Sequence, residues 1–326
     1  MMISPESYYA EVKDKNVVPP VTKTITAVEY GQLDEAGKAA VAQVGTTVDY
    51  TATVTVKAGM KNYVFHDTMS TGLQLTGTPT VTASPAVPSS YGTWYTIKPT
   101  PDTGDSLTIT FKDGLPVDTV ITITYKATIT ADALTVDYAH NTAKVTYGDS
   151  NSSTSEPSTK VYFGQIEALK KDGKNTAATD DDTALSGAGF VLKNSDNKYY
   201  KLADGVVTWV DSIDNADVHT TGSDGKVPAF TGLGAATYTL VEKVVPSGFN
   251  QAADVTGLVV PAPTTNASGE VTNAAALKVD AGTILNNKGT VLPTTGGIGT
   301  TIFYILGGLL IVGAGVTLVA KRRVRK

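Results

Sequence analysis

The chain has 326 residues and a formal net charge of −5, and it contains no cysteine. Disulfides, thiol catalysis and thiolate metal sites are therefore excluded, and nucleic acid is not expected as a partner because no basic cluster precedes the last few residues. The hydrophobic content of 41% can supply a core, and the abundance of Thr, Val, Ala, Gly and Tyr favours strands. The composition predicts an all-β protein with room for about two domains.

Alternating runs, typical of half-buried strands, begin at Val21 after a polar, irregular segment at 1–19. Turn-forming Gly, Pro, Asp and Ser separate the runs, as in a β-sandwich. We predict a first Ig-like sandwich over 20–162 and a second over 163–290. The runs of the first are VTKTITAVEY, TVDYTATVTV, NYVFHDTM, SLTITFKDG, DTVITITYKATIT and TAKVTYG, and those of the second include GQIEALKKDG, AGFVLKN, KYYKLA, VVTWV, ATYTLVEKVV and GTILNN.

The C-terminal segment 291–326 contains the only run that could span a membrane. Residues 302–320 are uncharged, and their length of 19 residues is close to the ~20 that a helix needs to cross a bilayer. KRRVRK follows at once and predicts a cytoplasmic tail, which leaves the rest of the chain outside the cell. That topology needs an export signal, yet MMISPESYYAEVKDKN has no apolar core of a signal peptide. We therefore expect a misassigned start or a piece of a longer protein.

Six residues interrupt the apolar pattern of the predicted core faces. Alternate residues of a half-buried strand point the same way, and in each unit the inward set of the first strand contains a lysine. The inward set of the last strand contains an asparagine, and an inward acid lies between them. These residues are Lys23, Asp67 and Asn141 in the first unit and Lys170, Glu242 and Asn286 in the second.

Two interpretations of this pattern remain open from the residues alone. Each side chain could be a strand-end residue that leans into solvent, or one half of a buried ion pair. Alternatively, burial removes the proton from the lysine and keeps one on the acid. The neutral amine can then attack the asparagine amide, with the acid as proton shuttle, and expel ammonia. The product is a Lys–Asn isopeptide bond, formed once per domain without a cofactor or turnover.

Several motifs resemble those of Gram-positive, sortase-assembled major (backbone) pilins. LPTTG at 292–296, an apolar span and a basic tail resemble the three-part cell-wall sorting signal. YTLVEKVVPSGF resembles the pilin E-box, LSGAGFVL resembles a strand of Cna-B (SpaA-type) domains, and NNKGTVLPTTGGIGT resembles the C-terminal strand of the family. VTKTI, HDTMSTGLQL and HNTAKVTYG are similar to the D2-type fimbrial isopeptide domain.

The resemblance implies roles for individual residues. Asp67 and Glu242 would promote isopeptide formation between Lys23 and Asn141 and between Lys170 and Asn286, with Asn287 as the alternative asparagine. Each bond would join the first and last strands of its unit. Sortase would cleave between Thr295 and Gly296. Its recognition sequence is Leu292, Pro293, Thr294, Thr295 and Gly296.

A pilin shaft also needs a lysine that accepts the threonine of the next subunit. EVKDKNVVPPVTK lies at the matching place, and Lys15 aligns with that lysine. The sequence departs from the family here, because Lys13 and Asp14 stand where the motif has Tyr and Pro. Lys15 is therefore a candidate polymerisation lysine for which the lysine position of the motif matches and the Tyr and Pro positions do not.

The function predicted from the sequence is that of a structural pilus subunit on the cell surface. Its implied partners are sortase, neighbouring pilin subunits, the peptidoglycan cell wall and a host surface ligand. The alternative is a monomeric wall-anchored adhesin or minor pilin, which would not need Lys15. A surface hydrolase would need a nucleophile or metal constellation, and we find no Ser/His/Asp arrangement and no metal-ligand spacing among His66, His140 and His219.

Overall fold

The computed structural model describes residues 17–99, 104–174, 182–267 and 269–288, and within them the predicted all-β fold is confirmed. The helices of these residues are short 3-10 turns, and none is long and apolar enough to cross a membrane. The predicted membrane helix at 302–320 and the segment 291–326 lie outside the described residues, as does Lys15.

The first sandwich contains twelve strands and two 3-10 turns within the described residues. The strands are β1 (Val21–Val28), β2 (Gly31–Leu33), β3 (Ala39–Ala42), β4 (Thr47–Thr55), β5 (Val64–Met69), β6 (Leu73–Ser84), β7 (Tyr95–Lys98), β8 (Leu107–Phe111), β9 (Val120–Ile129), β10 (Tyr138–Tyr147), β11 (Ser152–Ser153) and β12 (Ser158–Tyr162), and the turns are Ser89–Tyr91 and Ala131–Thr135.

The second sandwich contains ten strands and two 3-10 turns in the part of the chain that the structure describes. The strands are β13 (Gly164–Asp172), β14 (Thr183–Ala184), β15 (Gly189–Lys193), β16 (Tyr199–Ala203), β17 (Val206–Val210), β18 (His219–Thr220), β19 (Lys226–Leu233), β20 (Ala236–Val244), β21 (Val255–Val260) and β22 (Lys278–Asn286), and the turns are Ile213–Asn215 and Ala274–Leu277.

The two sheets of the first sandwich enclose its core. One has the order β1-β4-β9-β6, and the other has the order β2-β3-β12-β10-β5-β8-β7, with β11 paired to β10. The sequence TVDYTATVT of β4 alternates between half-buried threonine or aspartate and buried apolar residues, so only one face of the strand is apolar. β9 follows the same rule, and Tyr50 of β4 lies opposite Tyr125 of β9 in the antiparallel register.

The second sandwich pairs its first and last described strands directly. β13 lies between β19, which is antiparallel, and β22, which is parallel, and Lys170 is in register with Ile284. The facing sheet has the order β17-β16-β15-β20-β21, with β18 paired to β15. In β20 the side chains of Tyr238, Leu240 and Glu242 share the buried face, as the alternation predicts.

Six strands of the first sandwich were not predicted, and they are β2, β3, β6, β7, β11 and β12. STKVY forms β12, which is antiparallel to β10 and parallel to β3. The expectation that Asn141 lies in the last strand of its unit is therefore wrong, because β11 and β12 follow β10. The run is short and comes directly after the polar GDSNSSTSEPS, so its alternation was too brief to separate from a loop.

The residues that follow β3 make several of the contacts between the two sandwiches. The backbone N–H of Val44 donates to the carbonyl of Gly232 at 3.0 Å, and Val44 accepts from the N–H of Val207 at 3.2 Å. The buried Gln43 side chain donates to Val207 O at 3.0 Å and accepts from the Trp209 indole N–H at 2.6 Å. These bonds join backbone and side-chain groups across the junction and satisfy the polar groups that take part in them.

Close packing at the same junction requires a glycine. A Cβ atom at position 234 would lie 1.7 Å from the carbonyl oxygen of Tyr30. No side chain fits there without displacing backbone, so Gly234 allows the two sandwiches to approach each other.

Candidate functional site

The structure brings Lys23, Asp67 and Asn141 together in the core of the first sandwich. Each is 0% exposed. Lys23 projects from β1 in one sheet, whereas Asp67 of β5 and Asn141 of β10 project from the facing sheet. Asp67 is in register with Ala143, two residues from Asn141, so the acid and the amide lie on the same face.

Lys23 and Asp67 are in direct contact, with 2.5 Å between Lys23 Nζ and Asp67 Oδ2. Burial lowers the pKa of Lys23, an effect that the nearby Asp67 opposes. Burial likewise raises the pKa of Asp67, opposed by Lys23. Both directions favour the uncharged forms, because removal from water penalises an ion more than a neutral group.

A tyrosine that the sequence analysis missed completes this cluster. The Tyr125 hydroxyl of β9 accepts a hydrogen bond from Lys23 Nζ and donates one to Asp67 Oδ2. Asn141 Nδ2 also donates to it, at 3.5 Å. The only signal for this residue in DTVITITYKATIT is that an inward tyrosine usually finds a hydrogen-bond partner in the core.

Two oxygen atoms of the first cluster have no hydrogen-bond partner among the described residues. These are Asp67 Oδ1 and Asn141 Oδ1, and both are buried. A buried acceptor without a donor costs roughly 1–3 kcal/mol. A proton on Asp67 would change one of these acceptors into a donor, which is consistent with the raised pKa of this acid.

The second sandwich holds an equivalent cluster of Lys170, Glu242 and Asn286. Lys170 and Asn286 are 0% exposed and Glu242 is 1% exposed. Lys170 Nζ lies 2.5 Å from Asn286 Oδ1 and 3.7 Å from Glu242 Oε1. Asn286 Nδ2 donates to Glu242 Oε1 at 2.7 Å, so the acid contacts the amide directly. Asn287 is exposed, and Asn286 is the asparagine that lies in the cluster.

Glu242 is fixed by its surroundings as well as by Asn286. The backbone N–H of Ala252 donates to Glu242 Oε2 at 2.7 Å, and the Gln251 side chain donates to the Glu242 carbonyl at 2.7 Å. Burial lowers the pKa of Lys170 to about 8, against the opposing attraction of Glu242. A larger fraction of this amine is therefore neutral near physiological pH than for a lysine in water.

Both clusters hold the same three chemical groups in buried positions. An amine, a primary amide and a carboxyl group in contact can exchange one amide for another when the amine is neutral. Among the described residues, no group of His, Asp and Glu is arranged to hold a metal ion.

His66 lies on the face of β5 opposite to that of Asp67, as the alternation of side chains along the strand predicts. The sequence did not predict its hydrogen-bond partners. Its ring contacts Asp105 Oδ2 at 2.8 Å through Nδ1 and Thr146 Oγ1 at 3.0 Å through Nε2. The Thr–His–Asp connectivity resembles that of a hydrolase triad. Thr146 is within β10, which pairs with β5 and β11 on its two sides, and the N–H groups of a paired strand are used by the ladder. We assign these bonds to cross-strand stabilisation.

Protein-family profiles match two parts of the chain. The LPXTG cell wall anchor motif matches residues 284–326, and a prealbumin-like fold domain named SpaA matches residues 164–275. The anchor match includes Leu292, Pro293, Thr294, Thr295 and Gly296, which lie outside the described residues. None of the curated proteins matches the chain.

Solved structures similar to this chain include pilus backbone proteins of Gram-positive bacteria. The backbone protein of group B streptococcus pilus 2b is 28% identical, with a TM-score of 0.60, and the match covers 83% of this chain and 99% of that chain. The RrgB pilus protein of Streptococcus pneumoniae is 15% identical, with a TM-score of 0.57, and the match covers 85% and 74%. With the anchor motif, these findings indicate a cell-wall-anchored surface protein with the pilus backbone fold.

Proposed function

We propose that this chain is a structural subunit of a covalently polymerised, cell-wall-anchored pilus, stabilised by one Lys–Asn isopeptide bond in each sandwich. The observation that carries the proposal is the repeated cluster of a buried lysine, acid and asparagine in the two sandwiches. The anchor motif and the backbone-pilin fold support the same function.

The bond in the second sandwich would form by amide exchange. Neutral Lys170 attacks the side-chain carbonyl carbon of Asn286, and a C–N bond forms. Glu242 passes a proton to the leaving nitrogen through its contact with Asn286 Nδ2 and accepts one from Lys170. The C–Nδ2 bond breaks and ammonia leaves. The contacts already made in the core supply the proximity that such a reaction needs.

Intact mass spectrometry of the full chain tests the bonds. We expect the mass to be lower than that of the plain sequence by two ammonia molecules. Asp67→Ala and Glu242→Ala should each restore one of them, because each variant lacks the acid of one sandwich. A wild-type mass equal to the sequence mass would leave Lys23 and Lys170 as structural residues and refute the proposal.

Polymerisation would join Thr295 of one subunit to a lysine of the next, with Lys15 as the candidate. Sortase would cleave between Thr295 and Gly296, and the last subunit would be transferred to peptidoglycan. Co-expression with a pilin sortase should give a ladder of covalent multimers on denaturing gels. Lys15→Ala should abolish the ladder, whereas the control Lys13→Ala should retain it. A wild-type chain that stays monomeric would instead favour the wall-anchored adhesin or minor pilin, with a host surface ligand as its partner.

A further inference from the structure

We propose that Tyr125 is a catalytic residue of the first sandwich, where its hydroxyl group relays a proton from Asp67 to the nitrogen that leaves Asn141. The inference rests on the proposed Lys23–Asn141 bond and adds a fourth group to its site. The second sandwich is proposed to react without such a relay, so the two sites of one chain would use different proton paths.

The contacts of the Tyr125 hydroxyl carry the proposal. This one oxygen hydrogen-bonds to the amine, to the acid and to the amide nitrogen of the first cluster. A hydroxyl can accept and donate at the same time, so it is suited to pass a proton between two partners. Because it touches Lys23 Nζ and Asn141 Nδ2, it contacts both nitrogen atoms that would react.

The ring of Tyr125 is held firmly in place. It stacks on the ring of Tyr50, with 5.5 Å between the centroids and 25° between the planes. Lys23 Nζ lies 4.8 Å from the Tyr125 centroid and 4.9 Å from that of Tyr50, on the aromatic faces. This packing fixes the hydroxyl between the two sheets, as a relay requires.

The protonation state of the phenol agrees with the relay. Burial and the neighbouring Asp67 raise the pKa of Tyr125 well above its ordinary value. Tyr125 therefore keeps its proton when it receives a hydrogen bond from Lys23, and it can release that proton only when another arrives. Such concerted transfer avoids a buried phenolate ion.

The second cluster supplies an internal comparison. There Glu242 Oε1 accepts directly from Asn286 Nδ2 at 2.7 Å. In the first cluster, Asn141 Nδ2 donates to the Tyr125 hydroxyl, and that hydroxyl donates to Asp67. Aspartate is one methylene shorter than glutamate, and in the first cluster the tyrosine hydroxyl contacts both this shorter acid and the amide nitrogen.

The proposed step balances in atoms and charge. Neutral Lys23 attacks the side-chain carbonyl carbon of Asn141, and a C–N bond forms. Asp67 gives its proton to the Tyr125 oxygen while the Tyr125 proton passes to Asn141 Nδ2. The bond between the side-chain carbon of Asn141 and Nδ2 then breaks, and ammonia leaves. The Asp67 carboxylate then takes the surplus proton from Lys23 Nζ. Both Asp67 and Tyr125 end in their starting forms.

The test compares two tyrosine-to-phenylalanine variants of the full chain. The protein is made by cell-free synthesis, quenched at intervals and digested, and the cross-linked peptide of each sandwich is quantified separately. Tyr125→Phe should slow formation of the Lys23–Asn141 peptide by about 100-fold or more, the usual contribution of proton transfer. Tyr50→Phe is the matched control, because its buried hydroxyl has no hydrogen-bond partner in the described structure. It should react at the wild-type rate.

The Lys170–Asn286 peptide serves as an internal clock in every sample. If it forms at the same rate in wild type and in Tyr125→Phe, synthesis of the chain and folding of the second sandwich are intact, and the effect is confined to the first sandwich. Comparable rates for Tyr125→Phe and Tyr50→Phe would overturn the relay, although the isopeptide bonds themselves would stand. Absence of the Lys23–Asn141 peptide from wild type would instead refute the proposed bond.

A second variant covers the case in which Tyr125→Phe disturbs folding. 3-Fluorotyrosine at position 125 keeps the ring and the hydroxyl group but makes the phenol more acidic. We expect the rate at the first site to change by several-fold while the clock peptide is unaffected, as for an acid that takes part in the rate-limiting transfer. An unchanged rate would overturn the relay, because a merely structural hydroxyl does not respond to its acidity.

Discussion

Replacement of Glu242 by glutamine should remove the cross-link of the second sandwich while preserving the shape of the side chain. Glutamine cannot shuttle a proton, so Lys170 and Asn286 would remain unlinked. The two oxygen atoms of Glu242 each accept a hydrogen bond, one from Asn286 and one from the backbone of Ala252. A glutamine can accept at only one of these positions.

The magnitude follows from the loop that the bond closes. Lys170 and Asn286 are separated by 116 residues, and the chain-entropy relation for cross-links gives about 5 kcal/mol for a loop of this length. The mismatched hydrogen bond at Ala252 or Asn286 adds about 1 kcal/mol. For a domain of this size, 1 kcal/mol corresponds to about 4 °C in Tm. We therefore expect Glu242→Gln to lower the Tm of the second sandwich by roughly 20–25 °C.

The assay is differential scanning calorimetry of the full chain, with intact mass recorded on the same samples. Asn286→Ala lacks the bond by design and provides the second arm of a double-mutant cycle. On that background, Glu242→Gln should cost little, because no bond remains to be lost. Retention of the ammonia loss in Glu242→Gln, or an equal cost of the substitution on both backgrounds, would refute the proposed role of Glu242.

Two further predictions concern the pH dependence of the second site and the junction between the sandwiches. Burial lowers the pKa of Lys170 from 10.5 to about 8, so the neutral, nucleophilic fraction grows as the pH rises. The rate of Lys170–Asn286 peptide formation should therefore rise up to about pH 8 and then level off, and a rate that does not change below about pH 8 would contradict a neutral amine as nucleophile. Gln43→Ala leaves the Trp209 indole N–H without its partner and should lower the free energy of unfolding in urea by about 1–3 kcal/mol. The exposed Gln32→Ala is the control, and equal urea midpoints for the two variants would exclude Gln43 as a junction contact.

The alternation of apolar and polar residues predicted twelve of the 22 strands in the described residues. TVDYTATVT and DTVITITYKATIT have one apolar face throughout, and they form β4 and β9 in the predicted order. β12 was missed because its pairing with β3 is parallel and joins residues more than one hundred positions apart. The short local sequence of such a strand carries little information about a partner so distant.

The sequence predicted the part of the candidate site that depends only on which face of a strand each residue occupies. Lys23 interrupts the row of apolar residues on one face of β1, and in the structure it is buried on that same face. Tyr125 interrupts nothing, because tyrosine is an ordinary core residue in a strand. It contacts Asp67 and Asn141 because the sheet that contains β9 packs against the sheet that contains β5 and β10. The sequence of a single strand does not show how two sheets pack.

The sequence by itself determined the all-β class, the anchor motif and the lysine, acid and asparagine residues that interrupt the apolar faces, because each of these features depends on local order or on an alternation with a period of two residues. Only the tertiary structure decided that these side chains meet, that Asn286 rather than Asn287 lies in the second cluster, and that Gln43 bridges the sandwiches. The physical reason is that side-chain direction follows from the backbone of one strand. Contact across a core depends on how two whole sheets pack.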